Sequence, residues 1–219
     1  MTKQPRPLQK GDKIAIVAPA RSVIHEMINP TVELLSSWGL CPIVPNELFA
    51  HQNQFAGSDT QRRNLLQDAL NSSDISAILC AKGGYGTVRI IDQLDFSYFE
   101  QHPKWLIGFS DITVLHSHIH QNFHIETLHA TMPTNIPSDA TSVPYPSIES
   151  LHEILFGNGF EYLVNQHPLN HEGYAEAEVV GGNLSILYSL MGSNSQIDTR
   201  GKILFIEDLD EYLYHISSR

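Results

Sequence analysis

Short β-branched runs alternate with amphipathic stretches through the first half of the chain. Lys13–Ala18 (K-I-A-I-V-A) is an unbroken apolar run halted by Pro19, the pattern of a strand covered on both faces. A helix is predicted from Pro30 to Trp38, with Asn29 as its cap, Pro30 in its first turn and Gly39 at its end. Leu40–Val44 reads as a second strand, and Pro42 assigns it to a sheet edge. Ser58 or Asp59 opens the next helix, whose Leu65, Leu66, Ala69 and Leu70 form one apolar stripe before Asn71–Asp74 closes it. Ile75–Ala81 follows as a strand, Thr87–Gln93 as a helix, Trp105–Phe109 as a strand, Asp111–Gln121 as a helix and Phe123–Leu128 as a fifth strand.

Beyond residue 130 the grammar changes. Met132–Ser147 carries four prolines and predicts a long irregular connection, of the kind that is functional or marks a boundary. A short helix spans Ser147–Phe156. Phe160–Val164 and Tyr174–Val180 read as antiparallel or barrel-type strands, and Gly181-Gly182 precedes an amphipathic Asn183–Met191. Gly201–Glu207 is a last clear strand, entering the acidic run Glu207–Glu211, and Tyr212 begins another helical stretch. The succession predicts an α/β protein: a Rossmann-like, mostly parallel sheet in residues 1–165 and a second, partial β-rich domain in residues 166–219.

The 219 residues, 42% of them hydrophobic, suffice for a sizeable core. A formal net charge of -11 repels nucleic acid and anionic lipid, so neither is an expected partner, and a small or peptidic substrate is. Met1–Leu8 has no apolar signal core and no run reaches the roughly 18 apolar residues of a spanning helix, which predicts a cytoplasmic protein. Cys41 and Cys80 sit in or beside apolar runs and are expected as buried, reduced thiols. His116 and His120 are four apart as metal ligands can be, but no H-E-x-x-H or acidic partner accompanies them. No metal and no cofactor is expected.

Two stretches offer chemistry. In W-L-I-G-F-S-D-I-T (Trp105–Thr113), Ser110 falls where a strand pattern meets a helical one. A serine on such a bend can be a nucleophile, its hydroxyl lifted off the sheet and the next N–H groups aimed at an oxyanion. Gly108 lets such a bend close, although Ile112 replaces the second glycine of G-x-S-x-G; on this stretch alone the stronger reading is that Ser110 caps the helix beginning at Asp111. Gly83-Gly84-Tyr85-Gly86 follows a strand and lacks the spacing of a P-loop or dinucleotide fingerprint. It is either an anion cradle or a turn that needs positive φ.

The sequence resembles the LD-carboxypeptidase family of serine peptidases. The resemblance is carried by G-D-K-I-A-I-V-A-P-A at Gly11–Ala20, Gly57–Leu66, A-K-G-G-Y-G-T-V-R at Ala81–Arg89, I-G-F-S-D-I-T-V-L-H at Ile107–His116, T-L-H-A-T-M-P at Thr127–Pro133, G-G-N-L at Gly181–Leu184 and I-L-F-I-E-D at Ile203–Asp208. It implies a Ser-His-Glu triad with Ser110 as nucleophile and Glu207 as acid. It also implies an oxyanion hole from the backbone N–H groups of Asp111 and Gly84, and a substrate surface at Lys82, Gly83 and Tyr85. The implied reaction releases the terminal D-amino acid, D-alanine, from a murein tetrapeptide in peptidoglycan recycling. Two readings stand beside it, a microcin C-type self-immunity peptidase and a non-catalytic muropeptide-binding module.

Three departures from the family pattern matter. Lys82 replaces the family's arginine, keeping the charge but losing its planar fork. Ala130 replaces a glycine beside His129. No histidine occupies the family's position downstream of the glutamate, and His215 falls too close to Glu207, so the chain reads as truncated and weakly active or inactive by itself. The resemblance also implies a homodimer, which the sequence neither supports nor opposes.

Overall fold

The computed structural model describes residues 2–212 together with Tyr214 and Ile216. Five parallel strands form the main sheet in the order β2-β1-β3-β4-β5: β1 (Lys13–Val17), β2 (Cys41–Ile43), β3 (Ile75–Cys80), β4 (Trp105–Gly108) and β5 (Leu128–His129). Between and after them lie α1 (His25–Ser37), α2 (Asp59–Asn71), α3 (Ser97–Gln101), α4 (Thr113–Phe123) and α5 (Pro146–Leu155). A second sheet pairs β6 (Val179–Asn183) with β7 (Ile203–Glu207) across α6 (Leu184–Ser189).

Side chains alternate across a strand, so the central strands split their apolar residues between two layers. Ala15, Val17, Ile78, Cys80 and Leu106 meet Leu66 and Leu70 of α2, Phe99 of α3 and Leu115 and Ile119 of α4. Ile14, Ala77, Leu79, Trp105 and Ile107 meet Leu35 of α1 and Leu151 and Leu155 of α5 on the other side. Covering both faces leaves the carboxyl edge of the sheet as its open border, where a ligand can reach strand ends.

Several local expectations are corrected. The first helix starts at His25, with Pro30 inside it, because placing Ile28, Thr31, Leu34 and Leu35 on one buried face outweighs the single hydrogen bond that a proline withholds. Thr87–Arg89 and Ile91–Gln93 are separate 3₁₀ turns, and the short α3 was not foreseen. Helix α4 runs through Phe123, which packs on the core, and this shortens the fifth strand to Leu128–His129. The second sheet is parallel, not antiparallel, since α6 provides a crossover between its strands. Phe160–Val164 forms no strand and is exposed. Cys80 is buried, but Cys41 is exposed, because the edge strand β2 turns it outward. Pro42 does sit in an edge strand, and Ser58 caps α2 in a capping box with Gln61. Among the described residues no helix is long and apolar enough to cross a membrane.

Candidate active site

Ser110 follows β4 directly and holds φ at 60°, a left-handed conformation that costs a non-glycine residue about 1 kcal/mol or more. The bend brings its partly exposed side chain out of the strand's alternation. No side-chain bond caps either the Ser110–Ile112 turn or α4, so the capping role is not used. Gly108 is required for closure: a Cβ there would lie 2.9 Å from Ile112 Cγ1 and 3.2 Å from Cys80 Cβ.

Strand β3 neighbours β4, and its glycine loop therefore arrives beside Ser110. A Cβ on Gly83 would stand 3.1 Å from Ser110 Oγ and 3.3 Å from the Asp111 nitrogen. Gly84 and Gly86 adopt φ of 110° and 148°, which only glycine tolerates readily. The turn reading thus describes this loop, with two of its glycines at positive φ, and the bare backbone of Gly83 faces the serine.

Two buried side chains hold the loop, and sequence reasoning missed both roles. The Asp111 carboxylate, 1% exposed, accepts from the Thr87 amide at 3.0 Å and the Thr87 hydroxyl at 2.7 Å, tying bend to loop. An acidic residue inside the apolar I-G-F-S-D-I was the available signal. The Arg62 guanidinium, fully buried, donates to Gly86 O at 2.9 Å and to Pro19 O, and pairs with Asp59. Burial lowers its pKa against the pull of Asp59, and the Phe55 ring lies 4.9 Å from its carbon. Asp59 also takes Arg89.

The second sheet reaches the same region through α4. Gly182 packs on Thr113, where a Cβ would lie 2.5 Å from its hydroxyl oxygen, and Asn183 N–H donates to that oxygen at 3.0 Å. Glu207 pairs in register with Asn183. Its Oε1 is buried and accepts no hydrogen bond among the described residues, and burial, then Asp208, raises its pKa against a bond from Asn183. Asp208 instead accepts from Ser185 N at 3.0 Å and Ser185 Oγ at 2.6 Å, fastening the start of α6.

No imidazole among the described residues hydrogen-bonds Ser110 or Glu207, and His215 lies outside them. His116 Nε2 donates to Gly108 O at 2.9 Å while Nδ1 accepts from Thr127 at 2.8 Å, and burial pushes its pKa down to about 4. Both of its nitrogens are therefore occupied, leaving none for a metal. The His129 ring packs between those of Phe109 and Phe205. Tyr85 is exposed beside Phe55, and Lys82, half-buried, has neither hydrogen bond nor ion pair among the described residues. A cavity of about 320 Å³ opens beside the bend between Phe109, His129, Asn135 and Tyr162. A larger one, about 450 Å³, runs along β5 past His116, His120 and Glu178 and does not include Ser110.

A serine on a left-handed bend at the carboxyl edge of a parallel sheet, with bare backbone against its hydroxyl, is the arrangement of serine hydrolases. Residues 14–130 match the LD-carboxypeptidase N-terminal domain and residues 176–219 the LD-carboxypeptidase C-terminal domain; the chain belongs to this family. It is 39% identical over 217 residues to the probable murein peptide carboxypeptidase of Bacillus subtilis (strain 168), covering 97% of this chain and 67% of that protein. It is 30% identical over 212 residues to the murein tetrapeptide carboxypeptidase of Pseudomonas aeruginosa PAO1, covering 93% and 68%. The chain thus spans about two thirds of the length of these relatives. Its fold matches the crystal structure of muramoyltetrapeptide carboxypeptidase from Oxalobacter formigenes with a TM-score of 0.81 at 24% identity, covering 94% of this chain and 69% of that one.

Proposed function

We propose that the protein is a serine-type LD-carboxypeptidase that removes the terminal D-alanine from murein tetrapeptides in the cytoplasm, as part of peptidoglycan recycling. Ser110 Oγ adds to the carbonyl of the L,D-peptide bond. The oxyanion that forms is met by the N–H groups of Asp111 and Gly84, a contribution of about 10²–10³ in rate per donor. The triad imidazole, which none of the described residues supplies, takes the serine proton and gives it to the departing amine, then activates the water that hydrolyses the acyl-serine, and Glu207 orients that imidazole and stabilises its cation. Lys82, Gly83 and Tyr85 flank the peptide. Residues 1–165 form the nucleophile-bearing domain and residues 166–219 the part of the second domain that presents the acid. The same reading includes a homodimer.

The observation that carries the proposal is the close approach of Gly83 to the serine bend: a Cβ on Gly83 would stand 3.1 Å from Ser110 Oγ and 3.3 Å from the Asp111 nitrogen, so only a residue without a side chain leaves the hydroxyl and that N–H uncovered. The test is chromatographic measurement of D-alanine released from a murein tetrapeptide by wild type and by Ser110→Ala, both expressed in the full-length reading frame. Release that falls at least about 10³-fold in the variant is expected. Equal rates remove Ser110 from the mechanism. Ligand-dependent thermal stabilisation with no release by either assigns a muropeptide-binding module, and preferential hydrolysis of a peptidyl nucleotide assigns the immunity-type activity.

A further inference from the structure

The order of the sheet puts β3 between β1 and β4, so its glycine loop has a flank toward each neighbour. On the β4 side the flank is Gly83, against Ser110. On the β1 side it is Gly84, and there the neighbour is Arg21: a Cβ on Gly84 would lie 2.5 Å from both Cδ and Nε of Arg21 and 2.9 Å from Cγ. The bare α-carbon of Gly84 is thus a notch in which the arginine stem lies. The stem is rooted firmly, because Ala56 N–H donates to Ala20 O at 3.1 Å and Ser22 N–H to Gln54 O at 3.1 Å, while Arg21 itself bridges to Phe55.

Arg6 pairs with Asp12, Arg62 and Arg89 with Asp59, Arg200 with Asp198, and Arg63 bonds Asn64; among the described residues Arg21 has no hydrogen bond and no ion pair, and it is exposed. It is a planar, bidentate donor set beside the glycine whose N–H is assigned to the oxyanion, on the opposite side of the loop from the nucleophile. In a peptide that loses one residue, the terminal carboxylate carbon lies at most about 4 Å from the attacked carbonyl carbon.

We propose that Arg21 binds the α-carboxylate of the departing D-amino acid and so makes the enzyme an exopeptidase. The inference rests on the peptidase reading. A bidentate, charge-assisted contact of this kind is worth roughly 10-fold to 100-fold in affinity, and a lysine, as a point charge, recovers part of it.

The test is calorimetric binding, with D-alanine release as a second readout, of a murein tetrapeptide and of the same peptide ending in D-alaninamide, to the whole chain and to Arg21→Gln, Arg21→Lys and Lys82→Gln. The wild type is expected to prefer the free carboxylate at least about 10-fold. Arg21→Gln should lose that preference, leave amide binding within about twofold and keep its melting temperature, while Arg21→Lys falls between. A preference that survives in Arg21→Gln, or that disappears only in Lys82→Gln, overturns the inference and leaves the peptidase reading standing. A wild type that neither binds nor cleaves either peptide overturns both.

Discussion

Ser110 holds a backbone conformation that most side chains avoid, while the glycine facing it, Gly83, has a φ outside the left-handed range. Gly83 is therefore not a glycine for the sake of its own backbone. What excludes a side chain is the space shared with Ser110 Oγ and the Asp111 amide. Gly83→Ala is expected to fold with a melting temperature near that of the wild type and to lose D-alanine release by about 10²-fold or more, since its methyl stands where the oxyanion must enter. Thermal melting and steady-state kinetics on one preparation check both halves. At this scale the sequence was readable where type and spacing are unusual, as in Gly108, the glycine loop and Ser110. It was not readable for Arg62 or Asp111, whose importance comes from long-range partners: Gly86 and Pro19 for one, Thr87 for the other. Arg21 was equally silent, since its meaning depends on which strand lies between β1 and β4.

Elements are joined by single side chains at points where a strand ends and a helix begins. His116 links α4 to the last residue of β4 and to Thr127 at the approach to β5, and it does so as a neutral ring. Burial holds its pKa near 4, whereas an unfolded imidazole titrates near 6.5. Above pH 6.5 neither state binds the proton and the linkage contributes fully. As pH falls from about 6.5 to about 4 the unfolded chain takes up a proton that the folded chain refuses, and stability declines by up to about 3 kcal/mol. Urea titrations across that interval are expected to show the decline, and His116→Asn to flatten it. Burial lowers the pKa of His118 and His120 as well, so a smaller slope of the same sign remains in the variant. Periodicity located most elements, because a core on both sheet faces leaves a strong apolar signature. It failed at Pro30, at Phe123 and in the second sheet, where tertiary packing overrode local preference.

Across the whole molecule the two sheets differ sharply in cover. The five-stranded sheet is enclosed by helices, but every apolar residue of β7 is at least one-third exposed: Ile203 36%, Leu204 49%, Phe205 44% and Ile206 51%. Val179 on β6 and Leu209 beyond β7 are exposed as well. An isolated two-stranded sheet is marginal in water, and exposed apolar side chains on both faces of a strand, Ile203 and Phe205 on one and Leu204 and Ile206 on the other, mark a surface prone to association. Sedimentation velocity is expected to show concentration-dependent association of the chain. Leu204→Lys combined with Ile206→Lys should weaken it, and a monomer unchanged over the whole concentration range would refute the expectation.

Helix α4 joins these scales. Its first residue, Thr113, follows the serine turn and bonds Asn183, while its far turns are moored to the second lobe by His118 to Ser195, Asn122 to Asn194, Gln121 to Asp198 and His120 to Lys202. The helix is thus a common axle about 16 Å long on which the serine turn and the second sheet are both mounted. Because the strand partner of Glu207 is bonded to the first residue of this shaft, the contacts that fix its far end also bear on where the strand carrying that carboxylate sits relative to the serine turn.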